Sequence, residues 1–157
     1  MRRGPLGVVL VGLAVAGLAA CAQKAPLNLD AFERRTADGT VAIFWNCTQT
    51  GPRQLVIEGA VDNPYYPGPI SGVELFVTGV DGQGRDLSSA KAATASYQIY
   101  PKTPSPFHID LQLAGGEQRF DLRYQYRGAP GGGTSTGGSQ TSTVSNLLRD
   151  ICGKVRR

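Results

Sequence analysis

Few side chains in this sequence are of a type that performs chemistry. There is a single histidine, His108, and there are three cysteines, Cys21, Cys47 and Cys152. His108 stands between Phe107 and Ile109 in an alternating stretch, so it faces away from the apolar side, with Asp110 on its own face. A histidine beside a carboxylate can serve as a general base. Catalysis also needs a nucleophile and an oxyanion arrangement, and no stretch supplies either. With Cys21 set aside for the reason given below, one histidine and two cysteines that are expected to be oxidised fall short of an ordinary zinc site. Asp110 and Asp121 could flank a glycosidic bond, but nothing in the pattern aims them at each other. Asp81, Gln83 and Asp86 place oxygen atoms as a calcium loop would, without the distal glutamate that such a loop requires. These residues predict surface charge and turns, with no enzyme activity, no metal and no cofactor.

Cys21 has a different setting. Met1-Arg2-Arg3 is a positive start, and Leu6 to Ala20 is an apolar run of Leu, Val, Ala and Gly. That is the layout of an export signal. About 15 residues is short of the roughly 20 that a spanning helix needs, which points to a segment that is removed. Leu18-Ala19-Ala20-Cys21 resembles the bacterial lipobox, in which the cysteine is lipidated and the chain is then cut just before it. The resemblance implies a mature protein that starts at Cys21 and is held to the membrane by acyl chains. One chain binds marginally, at about 0.8 kcal/mol per buried methylene, whereas two or more anchor stably. Ala22, where an Asp would favour retention in the inner membrane, implies an outer-membrane anchor with the domain facing the periplasm.

Removal of residues 1–20 takes Arg2 and Arg3 with it. The 16 Lys and Arg of the whole chain, set against 12 Asp and Glu, then fall to 14, a net charge of +2. The sequence pI of about 9.1 would otherwise suggest nucleic acid. A nearly balanced mature chain in the cell envelope argues against that partner. Arg34-Arg35 and the group Arg149, Lys154, Arg156 and Arg157 read as solvated charge.

The elements that must position these residues follow from periodicity. Residues 22–36 are polar and contain proline, which suits a tether with a short helical turn near Leu29 to Arg34. From Thr40 the pattern has period two: Val41, Ile43, Trp45 and Cys47 point one way, with Ala42, Phe44 and Asn46 opposite. Leu55, Ile57 and Val61 continue it, then Val73, Leu75 and Val77, then Phe107 to Leu113, then Phe120 to Tyr126. A sixth, weaker strand is predicted between Ser89 and Tyr100. Alternating strands separated by Gly, Pro and Asp-Gly turns predict an all-β fold, a small antiparallel sandwich. The run GAPGGGTSTGGSQTST after Arg127 reads as a flexible linker. Beyond it, Val144, Leu147, Leu148, Ile151, Cys152 and Val155 fall on a helical stripe, which predicts a short C-terminal helix. The expected organisation is a signal at 1–20, a lipidated tether at 21–37, the sandwich at 38–128, a linker at 129–143, and a helix with a basic tail at 144–157. With Cys21 taken by lipid, Cys47 and Cys152 remain on two apolar faces. In an oxidising compartment they are expected to pair and staple the C-terminal segment to the sandwich.

A family resemblance supports the fold. Gly59-Ala60-Val61-Asp62-Asn63, a strand ending at Asp81-Gly82, and Pro104-Ser105-Pro106-Phe107 leading into another strand resemble the FxLYD-type domain of bacterial envelope proteins. The resemblance spans roughly residues 40–127. Phe120-Asp121-Leu122-Arg123-Tyr124 echoes the name-giving motif in part, with Arg and Tyr where Tyr and Asp would stand. It implies an immunoglobulin-like sandwich without enzymatic activity. The expected function is therefore a tethered, non-catalytic envelope module that binds a protein partner. Tyr65 and Tyr66, held between Pro64 and Pro67, are the candidate contacts. The alternative is a glycan or small-ligand module in which Tyr65, Tyr66, Tyr97 and Tyr100 offer stacking faces.

Overall fold

The computed structural model describes residues 26–64, 68–128 and 142–153. Among these residues, nine strands follow a 3-10 turn at Leu29–Ala31. They are β1 (Arg34–Ala37), β2 (Ala42–Gly51), β3 (Gln54–Asp62), β4 (Ile70–Val80), β5 (Asp86–Ala93), β6 (Gln98–Ile99), β7 (Ser105–Gln112), β8 (Arg119–Gly128) and β9 (Ser142–Leu148). One sheet has the order β1-β2-β3-β7 and the other β5-β4-β8-β9, with β6 pairing to the start of β4. All pairings are antiparallel. The predicted all-β antiparallel sandwich is the observed architecture.

Alternation explains which face each strand buries. Ile43 and Trp45 of β2, Leu55 and Ile57 of β3, and Ile109 and Leu111 of β7 point inward from the first sheet. Leu75 and Val77 of β4 meet them with Leu122 and Tyr124 of β8. Burying a side chain of this size stabilises the fold by about 1.5–3 kcal/mol, so this shared core holds the two layers together. The weak sixth strand resolves into β5 and β6, since Ala90 and Ala92 pack against the core while Lys91 and Ala93 stay exposed.

Three sequence expectations need correction. Residues 34–37 are not tether: β1 pairs with β2 in the register Arg34↔Trp45 to Ala37↔Ala42, so the folded domain begins before residue 38. The linker ends earlier than residue 143, because β9 begins at Ser142. The C-terminal helix is absent over the described residues; Ser142–Leu148 is a strand on the edge of the second sheet. Val144, Asn146 and Leu148 also fit period two. Val144 and Leu148 then pack on the core, and Leu147 turns out to solvent at 55 % exposure. The free edge of β8 offers a ladder of hydrogen bonds to residues that are neutral in helix propensity, and that tertiary pairing decides the period.

The segment after β9 closes the sandwich. Cys152 is joined to Cys47 with a Cα–Cα separation of 5.6 Å, across 105 residues of sequence. Around the disulfide, the Trp45 indole Nε1–H donates to the Ile151 carbonyl at 2.9 Å. The Ile151 N–H donates to Phe120 at 2.7 Å, and the Asp150 N–H to the Asp121 carboxylate at 3.1 Å. The Arg34 guanidinium donates to the carbonyl of Cys152. The stapling role expected of Cys47 and Cys152 is thus present, with an irregular clasp in place of the predicted helix.

Candidate functional site

The positions with chemical potential are mostly structural. Asp81 accepts from the backbone N–H groups of Gln83 and Arg85 and from the Arg85 side chain at 2.7 Å. The Arg85 and Gln83 bonds hold its carboxyl below the usual range, against some burial. It organises a turn, and its oxygen atoms are used. Asp121 is buried and committed to Arg119 and Asp150, while Asp110 lies in the other sheet. The two carboxylates are not a pair. His108 lies exposed between Asp110, 3.1 Å from its Nε2, and Glu58, 3.2 Å from its Nδ1. The hydrogen bond to Asp110, with help from Glu58, raises its pKa above 6.5. Among the described residues, no group of three or more His, Cys, Asp or Glu side chains could hold a metal ion.

A second polar cluster closes the side where β1 approaches β9. Asp38 accepts from the Tyr124 hydroxyl at 2.9 Å and from the Asn146 amide at 2.7 Å. Its other oxygen takes the N–H groups of Thr40 and Val41. Burial, then the neighbouring Asp38 carboxylate, raises the pKa of Tyr124, so the hydroxyl stays protonated and donating. This cluster locks the β1–β2 turn to the second sheet.

One concavity, of about 500 Å³, lies between β1 and the clasp, lined by Arg34, Trp45 and Asp150 among others; another lies on the outer surface of the second sheet near the end where β4 begins. β4 is bulged against β8: Ser71 pairs with Arg127 and Glu74 with Gln125, so two β4 residues lie unmatched between those pairs. Gly72 at the bulge has φ +58, and its N–H donates to the Tyr97 carbonyl at 2.9 Å. The Tyr97 ring lies over it, 3.6 Å from where a Cβ would be, which is an ordinary contact, so it is the positive φ that calls for glycine. After β5, the chain lifts away through Thr94 to Tyr97, held by Thr94 Oγ1 to Ser96 and by Ser96 N–H to Ser105. The bulge and this lift leave a cleft of about 540 Å³. Its walls are Tyr97, which is 66 % exposed, Arg127 from β8 and Thr143 from β9. The amide of Gln125 donates to the Glu74 carboxylate across the floor.

The loops beside the cleft are pinned by Asn63, whose buried amide donates to the carbonyls of Gly68 at 2.8 Å and Ile99 at 3.1 Å. Lys102 N–H in turn donates to the Asn63 carbonyl. The residues before and after positions 65–67 are thus drawn together against the Ile99 segment. Tyr65 and Tyr66 themselves, like Cys21, lie outside the described residues. Of the other two tyrosines, Tyr97 lines the cleft, whereas Tyr100 is exposed and bonds to Gln98. Sequence reasoning missed Glu74, Gln125, Arg127 and Thr143, which carry no motif. The signal that was available is Ser71-Gly72 in a strand, since an interior glycine often marks a bulge.

No family model matches the chain, and no curated protein matches it. Solved structures do. The chain is similar to the GAE domain of yeast GGA1, at 9 % identity and a TM-score of 0.51, over 73 % of this chain and 94 % of that one. A GAE domain of GGA2p from Saccharomyces cerevisiae is matched at 11 % identity and a TM-score of 0.47, over 78 % and 99 %. The likeness concerns the fold: an immunoglobulin-like sandwich.

Proposed function

We propose that this protein is a lipid-anchored, non-catalytic module of the cell envelope whose sandwich binds a protein partner at the end remote from its tether. The membrane part of the reading rests on Leu18 to Cys21, and on Ala22 for an outer-membrane anchor facing the periplasm. The observation that carries the binding part is the placement of the cleft. β1 runs antiparallel to β2, so the tether enters from the end where β2 finishes. The Asn63-pinned loops and the cleft lie at the opposite end, where β2 and β4 begin. A chain anchored at Cys21 would therefore present that end outward. β9 adds an edge strand whose outer side has no paired neighbour among the described residues, and such an edge is a surface that protein segments use.

A glycan site would be favoured by several aromatic faces turned into one concavity. Of the two described candidates Tyr97 lines the cleft and Tyr100 does not; the edge of β9 beside the cleft, unpaired among the described residues, is what favours a protein partner. The two FxLYD-like expectations, envelope location and absence of turnover, belong to the same proposal. The test is capture of partners from solubilised envelopes by the wild type and by Tyr65→Ala combined with Tyr66→Ala. Loss of a specific captured protein in the double variant is the expected result. An unchanged set removes that loop from the contact surface, and turnover of a glycan or peptide by homogeneous protein overturns the reading altogether.

A further inference from the structure

The partner surface has a charge pattern that names the chemistry of what it would bind. On the outer face of the second sheet, Lys91 of β5, Phe76 of β4, Arg123 of β8 and Leu147 of β9 stand in one row across four strands. Lys91, Arg123 and Leu147 are exposed, and the Arg123 guanidinium lies 4.8 Å from the centre of the Phe76 ring. Arg127, on the same face of β8, forms one wall of the cleft. None of the three cations has a carboxylate partner among the described residues. The outer face of the first sheet is mixed, with Glu58 and Asp110 around His108 and with Arg35 beside Phe44.

Resting on the protein-partner reading above, we propose that this face receives an acidic, extended segment of the partner, with one carboxylate on Arg127 and a second on Arg123. Four residues of strand separate these arginines, about 13 Å at 3.3–3.4 Å per residue. An extended segment with acidic residues at positions i and i+4 places its carboxylates on one side at that same spacing. Planar guanidinium groups favour such carboxylates by paired hydrogen bonds. The Phe76 ring beneath Arg123 orients that group, so less side-chain freedom is lost on binding. An anionic bilayer is the other candidate. It is disfavoured because a concave surface suits a chain better than a plane, and because Glu74 lies in the cleft floor beside Gln125, between the arginine positions: an extended segment can set an uncharged residue at i+2 opposite it, whereas a bilayer surface cannot.

The experiment uses the intact protein extracted in an uncharged detergent. The probes are two fluorescent nine-residue peptides of identical composition, one with glutamates at positions three and seven and one with them adjacent. Binding is read by anisotropy at low and at physiological salt. The spaced peptide is expected to bind several-fold more tightly than the adjacent one, and to weaken with salt. Arg123→Gln with Arg127→Gln should weaken it by roughly tenfold, as expected for two exposed ion pairs. Arg53→Gln, in the turn at the other end, should leave it unchanged, and an intact disulfide verifies the fold of each variant. Equal binding of both peptides, no binding of either, or indifference to the arginine pair overturns the proposal. So does arginine-dependent binding of anionic vesicles without binding of the peptide. If the peptides fail while the Tyr65 and Tyr66 variant still loses a captured protein, the acidic segment falls and the protein-partner reading stands.

Discussion

Gly59 shows at residue scale how closely the core is fitted. It faces inward between Trp45 and Phe107 in the register of three strands, and a Cβ there would lie inside contact distance of the Phe107 ring and the Phe44 carbonyl. Gly59→Ala should therefore overpack the core and cost about 1–3 kcal/mol in denaturant unfolding; no loss of stability would contradict the close fit of the Phe107 ring and the β2 backbone at Phe44 around this position. His108 gives the second prediction. Its pKa is raised by Asp110 first and Glu58 second, so the charged imidazole is the form the folded state favours. The contribution to stability is then present below the unfolded pKa near 6.5 and fades as pH rises through the higher folded value. The ring is well exposed, so the effect belongs to titration more than to stability. A proton-shift titration should place the midpoint above 6.5 and show it fall in Asp110→Asn. A midpoint at or below 6.5 contradicts the arrangement.

At the scale of elements, β9 and the clasp after it are where sequence and structure part. The alternation in β2, β3, β4, β7 and β8 is unambiguous because each buries one face and wets the other, and those strands were legible with their inward residues. Val144 to Leu148 satisfies both a helical and a strand period, so local pattern could not choose; the open edge of β8, a feature of the assembled sheet, does. β1 was hidden for a related reason. Arg34 to Ala37 has no apolar alternation, and its pairing relies on backbone bonds to β2 and on Arg34 reaching Cys152. The cleft was illegible because a bulge and a lifted loop create it, and only Tyr97 among its walls stood out by type. The strand assignment predicts that Val144→Asp, which puts a charge against the core, costs more than about 2 kcal/mol, while Leu147→Asp stays within about 0.5 kcal/mol. Equal costs at the two positions would restore the helical stripe. The clasp predicts a large effect of the disulfide. A closed loop of roughly 100 residues is worth up to about 4.7 kcal/mol in the chain-entropy model. Cys47→Ala with Cys152→Ala should accordingly lower the unfolding free energy by about 2–4 kcal/mol, and peptide mapping of the native protein should show these two cysteines cross-linked.

For the whole molecule, the proposed function needs an anchor at one end and a presented surface at the other. The sandwich itself does not distinguish binding from chemistry, since one fold serves many functions. What gives it direction is the path of the chain, with β1 entered from the end where β2 finishes and the cleft lying where β4 begins. That geometry has meaning only if the protein is held at Cys21. The most direct measurement is therefore intact-mass and N-terminal analysis of the membrane-extracted protein, beside a Cys21→Ser variant fractionated in the same way. A lipid anchor at Cys21 predicts a mature chain that begins there, carries the mass of two or more acyl chains and sediments with membranes, and a variant that is uncleaved or released into the soluble fraction. A Cys21→Ser protein that is processed and membrane-bound like the wild type, or a native Cys21 without lipid, would contradict it.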